Sequence, residues 1–289
     1  MAVAGAPGTV TWRDLHREAT ERLESAQEAR WLVEEAAPEP WPAALDRPVT
    51  ERAHAYFSGM LERRAAGEPL QYVLGHWPFR ELDLLVDPRV LIPRPETEVV
   101  VGVALAELEA ARPGGRGGRA ADLGTGSGAI ALSLAKERPG LEVWATDASA
   151  AALEVAAANL AGLGGWAAPR VRLCRGSWFE ALPPTLAGRL DLLVANPPYI
   201  SLAELADLDP VVADHEPHDA LFSGPTGLED VEAVVTGAPR WLAPGGVLVV
   251  EVAPHQADPA ADAATAAGLA AVRVASDLAG RPRALVAHR

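Results

Sequence analysis

The sequence predicts an α/β protein in which a small helical bundle precedes a mostly parallel sheet. Three observations lead to this fold class. Apolar residues recur at helical spacing in the first 70 residues. From residue 119 onward, short apolar runs alternate with helical stretches, which is the signature of a parallel sheet. A glycine-rich turn joins the first of these runs to the next helix. Ligands bind at the carboxyl ends of the strands in such sheets, so we expect a site there.

Composition narrows the class of protein further. The chain has 289 residues, 49% hydrophobic and 22% charged, enough for one large or two modest domains with a real core. A net charge of −14 argues against nucleic acid as the main partner, because phosphate backbones need a basic surface. Cys174 is the one cysteine, which excludes an intrachain disulfide and a Cys-based zinc site, and we expect no metal.

Targeting signals are not evident in the sequence. Met1–Pro7 has neither a basic start nor a long apolar run, so we expect no signal peptide. No apolar run reaches the roughly 18 residues that a membrane span needs. We therefore expect a soluble, cytoplasmic protein with no membrane contact.

Three helices are predicted before residue 70. Thr11 and Asp14 resemble a capping box at the start of the first helix. The second helix covers about residues 25–37, and prolines end it. The third begins after Thr50 and ends at Gly67, a residue type that often terminates helices. Together these helices predict a small bundle with its aromatic side chains turned inward.

The hydrophobic period changes after the bundle. We interpret Tyr72–Leu74 as a strand, Gly75–Pro78 as a turn, and the alternation of Leu82, Leu84 and Val86 as the second strand of a hairpin. This hairpin is predicted to link two domains.

An arginine and two glutamates lie between the hairpin and the next helix, in Leu91–Glu98. Arg94 and Glu96, each beside proline, form a rigid functional loop in one interpretation. In the other interpretation, this is a plain helix N-terminus, where the helix dipole favours the carboxylates of Glu96 and Glu98. An apolar helix is expected from about Val99 to Ala111.

The remainder of the chain alternates between strands and helices. Residues Arg112 to Arg119 form a Gly/Arg-rich loop before the first strand, and we expect it to be exposed. The predicted strands lie near 119–123, 141–146, 170–174, 190–195, 246–252, 270–275 and 283–287, and the predicted helices near 128–137, 149–162, 228–240 and 256–268.

The turn after the first of these strands is a candidate cofactor site. Glycines at 124, 126 and 128 let the chain turn sharply and let a ligand touch backbone. Asp147, about 20 residues later at the end of the next strand, is placed to bind ribose hydroxyls. Because Gly124, Gly126 and Ala129 also satisfy the dinucleotide pattern, a nicotinamide enzyme stays open. Asp122 favours S-adenosylmethionine, since its carboxylate suits an ammonium group better than a pyrophosphate.

The sequence Asn196-Pro197-Pro198-Tyr199 follows the buried strand 190–195. Two prolines cannot continue a sheet, so a stiff turn begins at the strand's carboxyl end. Asn196 can donate and accept hydrogen bonds, and Tyr199 offers a flat face for stacking. This set suits a planar substrate with an NH₂ group, such as a carboxamide or an amino-base.

These motifs together resemble a class I methyltransferase, and several further stretches resemble the release factor glutamine methyltransferase (PrmC/HemK) family. The further stretches are Gly67–Tyr72 with Gly75 and Phe79, Leu91–Glu98, Ser177–Phe179, Glu216-Pro217 with Ala220, Leu221, Gly224, Gly227 and Leu228, and Glu251 with Gln256. Glu96 departs from the family, which commonly has Asp there. The resemblance runs from about Gly67 to the C-terminus.

The resemblance implies a Rossmann-like, seven-stranded class I methyltransferase domain at 99–289, a hairpin linker at 71–98 and a helical substrate-recognition domain at 1–70. It implies contacts to S-adenosyl-L-methionine at Gly124, Thr125, Gly126, Ser127, Gly128, Asp147, Trp178 and Asn196. It implies glutamine contacts at Asn196, Pro197, Pro198 and Tyr199, with Asn196, Pro197 and Tyr199 in catalysis.

The implied reaction is methylation of the N5 amide nitrogen of the Gly-Gly-Gln glutamine in class I peptide chain release factors. We expect a monomer that does not bind nucleic acid directly. Glutamine methylation of a ribosomal protein, methylation of a DNA amino-base and a non-catalytic cofactor-binding module remain alternatives. The DNA reaction would need a basic face and a target-reading segment, neither of which is evident.

Overall fold

The computed structural model describes residues 10–111, 114 and 117–289. The predictions for Met1–Pro7 and for most of the Gly/Arg-rich loop lie outside the described residues. The chain forms two compact units, one ending at Gly75 and the other running from His76 to Arg289. The three-part division into 1–70, 71–98 and 99–289 stays a prediction.

The first unit is a helical bundle, as predicted. It contains α1 (Trp12–Leu23), α2 (Ala26–Ala36), α3 (Glu51–Ala65) and the short α4 (Leu70–Leu74). The predicted capping box is present, since the Thr11 side chain accepts from the Asp14 N–H and the Asp14 carboxylate accepts from the Thr11 N–H. Trp12 and Phe57 turn inward as predicted, and the core is built from Trp12, Leu15, Leu32, Phe57, Met60 and Leu61. The inward prediction was wrong for Tyr56, which is 49% exposed.

The prediction of a strand at Tyr72–Leu74 was wrong, because these residues belong to α4. Leu70, Val73 and Leu74 have helical spacing and pack into the core of the bundle. Gly75, at φ +81°, closes the helix in the left-handed conformation that glycine adopts easily. A run of three apolar residues does not distinguish the helical period from the extended one. The helix is favoured because it buries these side chains in the core of the bundle.

The hairpin exists but begins later than predicted. Strand β1 (His76–Phe79) pairs antiparallel with β2 (Leu82–Leu85), so the predicted turn at Gly75–Pro78 is largely a strand. Pro78 is tolerated because a two-stranded ribbon leaves each strand with a free edge. The Asn159 side chain holds the hairpin, accepting from Leu85 N–H at 2.7 Å and donating to Leu85 C=O at 3.0 Å.

A seven-stranded sheet forms the centre of the second unit, which confirms the predicted fold class. The strand order is β5-β4-β3-β6-β7-β9-β8, with the first five parallel and β9 antiparallel to both of its neighbours. The strands are β3 (Arg119–Leu123), β4 (Glu142–Asp147), β5 (Val171–Arg175), β6 (Leu190–Ala195), β7 (Leu242–Glu251), β8 (Ala270–Ser276) and β9 (Pro282–His288).

Helices cover both faces of this sheet. The buried residues of α5 and α6 pack with alternate residues of the strands on one face, and those of α9 and α10 pack with the intervening residues on the other. The helices of this unit are α5 (Pro95–Ala111), α6 (Ala129–Glu137), α7 (Ala150–Leu163), α8 (Pro210–His215), α9 (Glu229–Trp241) and α10 (Ala257–Ala266).

Two segments differ from the sequence interpretation. Helix α5 starts at Pro95 rather than near Val99, which supports the helix N-terminus over the rigid loop, since proline is favoured in the first helical turn. The segment 200–226, for which no helix was predicted, is partly helical. It contains α8 and two short 3-10 turns, at Leu202–Asp207 and His218–Ala220.

The order of the strands in the sheet determines where the candidate site lies. From β3 the chain proceeds to β4 on one side, whereas β6 pairs with β3 on the other. Leu123 at the end of β3 lies opposite Ala195 at the end of β6, and Ala195 lies opposite Val250 of β7. The residues that follow these three are Gly124, Asn196 and Glu251. A crevice opens at such a reversal of strand order, so these residues meet at one edge of the sheet.

Candidate active site

A cavity of about 480 Å³ lies at the carboxyl ends of the central strands. It is lined by residues from the loop after β3, from the end of β4, from the turns after β5 and β6, and from the start of α5. The sequence-predicted residues on its lining are Gly124, Thr125, Gly126, Ser127, Asp147, Trp178, Asn196 and Pro198. Gly128, Pro197 and Tyr199 lie outside the lining.

The glycine-rich loop is held against the neighbouring strand. Gly124 and Thr125 donate backbone hydrogen bonds to the Thr146 carbonyl, at 3.0 and 2.8 Å. Gly128 is the N-cap of α6 at φ +87°, where a Cβ would lie 3.0 Å from the Leu132 side chain. A residue other than glycine would be strained at this position by both the φ angle and the close packing.

Asp122 lies behind this loop and not in the cavity. Its side chain is fully buried, and Oδ2 accepts from the Thr125 hydroxyl at 2.6 Å and from the Ala131 N–H at 3.1 Å. Burial raises the pKa of Asp122 to about 7, against the two hydrogen bonds that lower it. The sequence interpretation of a carboxylate facing an ammonium group is therefore not supported. Asp122 instead joins the loop to the start of α6.

Asp147, at the end of β4, does line the cavity. Its Oδ2 accepts from the Gly126 N–H at 2.8 Å and its Oδ1 from the Ser149 N–H at 2.9 Å. Burial raises the pKa of this carboxyl, while the two backbone hydrogen bonds lower it. Each carboxylate oxygen keeps acceptor capacity, so Asp147 can bind hydroxyl groups of a ligand.

Trp178 lines the cavity beside the glycine-rich loop. The residue begins a 3-10 turn after β5 and has φ +42°, a left-handed value that is unusual for a bulky side chain. Its ring lies over Gly124, because a Cβ built there would be 3.2 Å from Trp178 Cζ3. Glycine at 124 therefore makes room for the indole ring beside the cavity.

The Asn-Pro-Pro-Tyr turn is divided between the cavity and the interior. Asn196 is half-buried and lines the cavity with Pro198, while Pro197 is buried. Tyr199 is half-buried, and burial raises the pKa of its hydroxyl to about 12, so it is neutral at physiological pH. These positions agree with Asn196 as a ligand contact and leave the stacking role of Tyr199 a prediction.

The turn is fixed by two residues to which the sequence alone assigned no role. The buried Gln256 side chain donates to the Tyr199 carbonyl at 2.9 Å and to the Gly227 carbonyl at 3.0 Å. Gly227 has φ +79°, and a Cβ there would approach the Tyr199 carbonyl oxygen to 2.6 Å. The signal available in the sequence was the resemblance to the family at Gly227 and Gln256.

Glu216 holds the segment before α5. Glu216 is 4% exposed, and its carboxylate accepts from the Ile92 N–H at 3.1 Å and from the Arg94 guanidinium. His215 bonds to the Val211 carbonyl within its own helix. Glu216 thus joins the 200–226 segment to Arg94, which lines the cavity.

Other site types are not found in the described part of the chain. Among the described residues there is no cluster of His, Cys, Asp and Glu that would hold a metal ion. No helix within 10–111 or 117–289 is long and apolar enough to cross a bilayer. Cys174 is half-buried in β5, and burial raises the pKa of its thiol.

Comparisons with known proteins agree with this architecture. Residues 103–208 match the model of the methyltransferase small domain, and residues 14–75 match the PrmC N-terminal domain. The release factor glutamine methyltransferase of Moorella thermoacetica is 41% identical over 290 residues, covering 97% of this chain and 99% of that protein. The Gloeobacter violaceus protein of the same name is 46% identical over 72% of this chain and 70% of its own.

Solved structures share the fold. A methyltransferase from Pyrococcus furiosus aligns with a TM-score of 0.51 at 18% identity, covering 83% of this chain and 98% of its own. Fold and site define a class I methyltransferase, with S-adenosyl-L-methionine as cofactor. Within that class, the chain belongs to the release factor glutamine methyltransferase family, as its similarity to the Moorella protein over nearly the whole length of both shows.

The cavity fits this cofactor by size and by chemistry. Its volume falls within the roughly 300–1,000 Å³ typical of cofactor sites. The loop backbone is open at Gly126, where a Cβ would meet nothing within 4 Å, so a ligand can approach it closely. The carboxylate of Asp147 suits ribose hydroxyls, and the indole of Trp178 provides an apolar wall.

Proposed function

We propose that this protein transfers a methyl group from S-adenosyl-L-methionine to the side-chain amide nitrogen of a glutamine, the N5 nitrogen of the Gly-Gly-Gln motif in class I peptide chain release factors. The observation that carries the proposal is the pairing of Leu123 with Ala195. It brings the glycine-rich loop and Asn196 to one cavity, so that a methyl donor and an amide can meet there.

The proposed cofactor contacts are those on the cavity wall. Gly124, Thr125, Gly126, Ser127 and Asp147 would hold the nucleoside and amino acid portions. Trp178 and Asn196 would close the site from the side of β5 and β6, and Gly128 would act through the loop that it shapes. When bound, the cofactor supplies an electrophilic methyl group on a positively charged sulfur.

The protein's task is to orient a poor nucleophile. A carboxamide nitrogen reacts weakly, because its lone pair is delocalised into the carbonyl group. In the proposed mechanism, the Asn196 side-chain oxygen and the Pro197 carbonyl accept the two amide hydrogens of the substrate. Both contacts would turn the nitrogen lone pair toward the methyl group and strengthen as positive charge develops on nitrogen. As the bond between nitrogen and the methyl group forms, the bond between that methyl group and sulfur would break, and the extra proton on nitrogen would leave to water. Pro198 and Tyr199 would limit the movement of the amide plane.

The recognition of the protein substrate is assigned to the helical unit ending at Gly75. The match of residues 14–75 to the PrmC N-terminal domain supports this division of labour. Deleting the unit should weaken binding of the release factor and leave cofactor binding intact. The net charge of −14 agrees with a protein partner rather than a nucleic acid. We further propose that the enzyme acts as a monomer in the cytoplasm, the compartment of its proposed substrate.

The first experiment is transfer of labelled methyl from S-adenosyl-L-methionine to a purified class I release factor. The control is the same factor with the glutamine of its Gly-Gly-Gln motif changed to alanine. We expect label on the first and none on the second. Label on neither, with cofactor binding intact, would contradict the proposed substrate, and a ribosomal protein and DNA would then be tested in the same assay.

Asn196→Ala tests the proposed mechanism in that assay. We expect turnover to fall by at least about 100-fold, because the amide loses its acceptor and its orientation. Cofactor affinity and the unfolding transition, measured on the same preparation, show whether the site and the fold persist. Turnover within threefold of the unmodified enzyme would refute the role of Asn196.

A further inference from the structure

A chain of three hydrogen-bonded polar side chains runs from the buried Glu251 through the buried Thr97 to Asn196. The Asn196 Nδ2 donates to the Thr97 hydroxyl at 3.2 Å, and the Thr97 hydroxyl lies 2.7 Å from Glu251 Oε2. Thr97 belongs to the first turn of α5, and Glu251 is the last residue of β7. The three residues are 99 and 154 positions apart in sequence, so the contact depends entirely on the tertiary structure.

The chemistry of the chain determines the direction of its hydrogen bonds. A carboxylate can only accept, so the single hydroxyl proton of Thr97 goes to Glu251. The Thr97 oxygen is then left as an acceptor, and only the nitrogen of the Asn196 amide can donate to it. The Asn196 Oδ1 must therefore be the atom turned away from Thr97. It is the atom that can accept a hydrogen from an amide in the cavity.

We propose that Thr97 and Glu251 are positioning residues that hold the Asn196 carboxamide with its oxygen toward the reacting nitrogen. This inference rests on the proposed function, because it needs Asn196 to contact the substrate amide. Neither residue has to touch the reacting atoms in this role. Glu251 acts on Thr97, and Thr97 acts on Asn196.

Burial makes the arrangement more than a surface hydrogen bond. Thr97 is 4% exposed and Glu251 is fully buried. Glu251 Oε1 has no hydrogen-bond partner in the part of the chain that the structure describes. A carboxylate buried with one oxygen unpaired lowers stability, and such groups persist at functional sites. The bond to Thr97 is the one that Glu251 makes toward the cavity.

Protonation of Glu251 would remove this control. A protonated Oε2 can donate to Thr97, whose own proton is then free to point at Asn196 and allow the amide to turn over. The charged and titratable groups that act on Glu251 are Arg94 and Glu96 at the start of α5, Arg283 from β9 and Tyr199 after β6. Burial raises the pKa of Glu251 to about 7, so the carboxylate form prevails only above neutral pH.

Thr97→Val removes the hydroxyl at nearly constant volume. We expect kcat for methyl transfer to the release factor to fall about 10- to 100-fold, because Asn196 is free to rotate. The KM for the release factor and the Kd for the cofactor should change by less than threefold. Thr97→Ser, which keeps the hydroxyl, should restore most of kcat. Ser133→Ala is the matched control, since this buried hydroxyl in α6 has no partner among the described residues.

Glu251→Gln tests the carboxylate. In the unmodified enzyme we expect kcat to fall as the pH drops below about 7. In the variant this acidic limb should disappear. Since Glu251 acts through Thr97, the double variant Thr97→Val/Glu251→Gln should lose no more kcat than Thr97→Val alone.

Three outcomes would overturn the inference while leaving the proposed function in place. They are a kcat for Thr97→Val within threefold of Thr97→Ser, an acidic limb that persists in Glu251→Gln, and losses that multiply in the double variant. Full activity of Asn196→Ala would be a different result. It would refute the proposed mechanism and, with it, the inference.

Discussion

Asp122→Asn tests whether the acidic residue before the glycine-rich loop stabilises the fold or binds the cofactor. The side chain is fully buried, and its Oδ1 has no hydrogen-bond partner among the described residues. Asparagine can keep both observed bonds, since its oxygen can accept from Thr125 and Ala131 as Oδ2 does now. The substitution therefore removes a buried charge and leaves the loop geometry in place.

The size of the effect follows from the pKa. Burial raises the pKa of Asp122 from 3.8 to about 7, so ionising it in the folded protein costs about 4 kcal/mol relative to the unfolded chain. Between these values the folded state holds a proton that the unfolded chain has released. Stability therefore falls as the pH rises through this window, by about 2.5 kcal/mol between pH 5 and pH 8.

The assay is urea unfolding of both proteins, followed by tryptophan fluorescence at pH 5 and pH 8. We expect the unmodified protein to lose about 2.5 kcal/mol more than Asp122→Asn over this range. A fixed penalty for burying the new NH₂ group cancels in this difference, as does the titration of Glu251. Cofactor affinity should change by less than threefold. Equal pH dependence of the two proteins would refute the reasoning on burial. A tenfold loss of cofactor affinity would instead indicate that Asp122 contacts the ammonium group of the cofactor.

Two further substitutions test how the site is held. Gly227→Ala should lower stability by about 2–4 kcal/mol and reduce turnover, because its Cβ would meet the Tyr199 carbonyl at 2.6 Å and its φ is +79°. Gly245→Ala, at φ +76° with nothing within 4 Å, is the control for the φ angle alone, and equal losses in the two would exclude the clash. Asn159→Ala should lower stability by about 2–4 kcal/mol, because it leaves Leu85 and Ser127 backbone groups unpaired. Urea unfolding measures this change in the free energy of unfolding, and a decrease of less than about 1 kcal/mol would show that water replaces the hydrogen bonds of Asn159.

Local patterns in the sequence were sufficient for most of the second unit. The strand at 119–123 and the strand at 190–195 were predicted with the bounds that the structure has. An apolar run indicates a buried strand, and the glycine or proline after it marks where the strand ends. Both signals come from residues close in sequence, which is why these boundaries were accurate. The hairpin was less accurate, since Tyr72–Leu74 is too short a run to show whether its period is helical or extended.

The candidate site divides in the same way. Asn196, Asp147 and the glycine-rich loop follow strands, so their place at the carboxyl edge could be inferred from the order of elements. Thr97 and Gln256 carried no such signal. Their contacts with Asn196 and Tyr199 join residues 99 and 57 positions apart. No periodicity in the sequence encodes a contact over that distance.

By itself, the sequence determined the fold class, the order of strands and helices, and the two motifs that meet at the cavity. The residues that support these motifs were decided only by the tertiary structure. It buries Asp122, places Gln256 and Gly227 against the turn after β6, and links Glu251 through Thr97 to Asn196 by hydrogen bonds. The physical reason is the range of the interactions. Secondary structure follows from neighbours along the chain, whereas a buried polar group is satisfied by whichever partner the packed core brings to it.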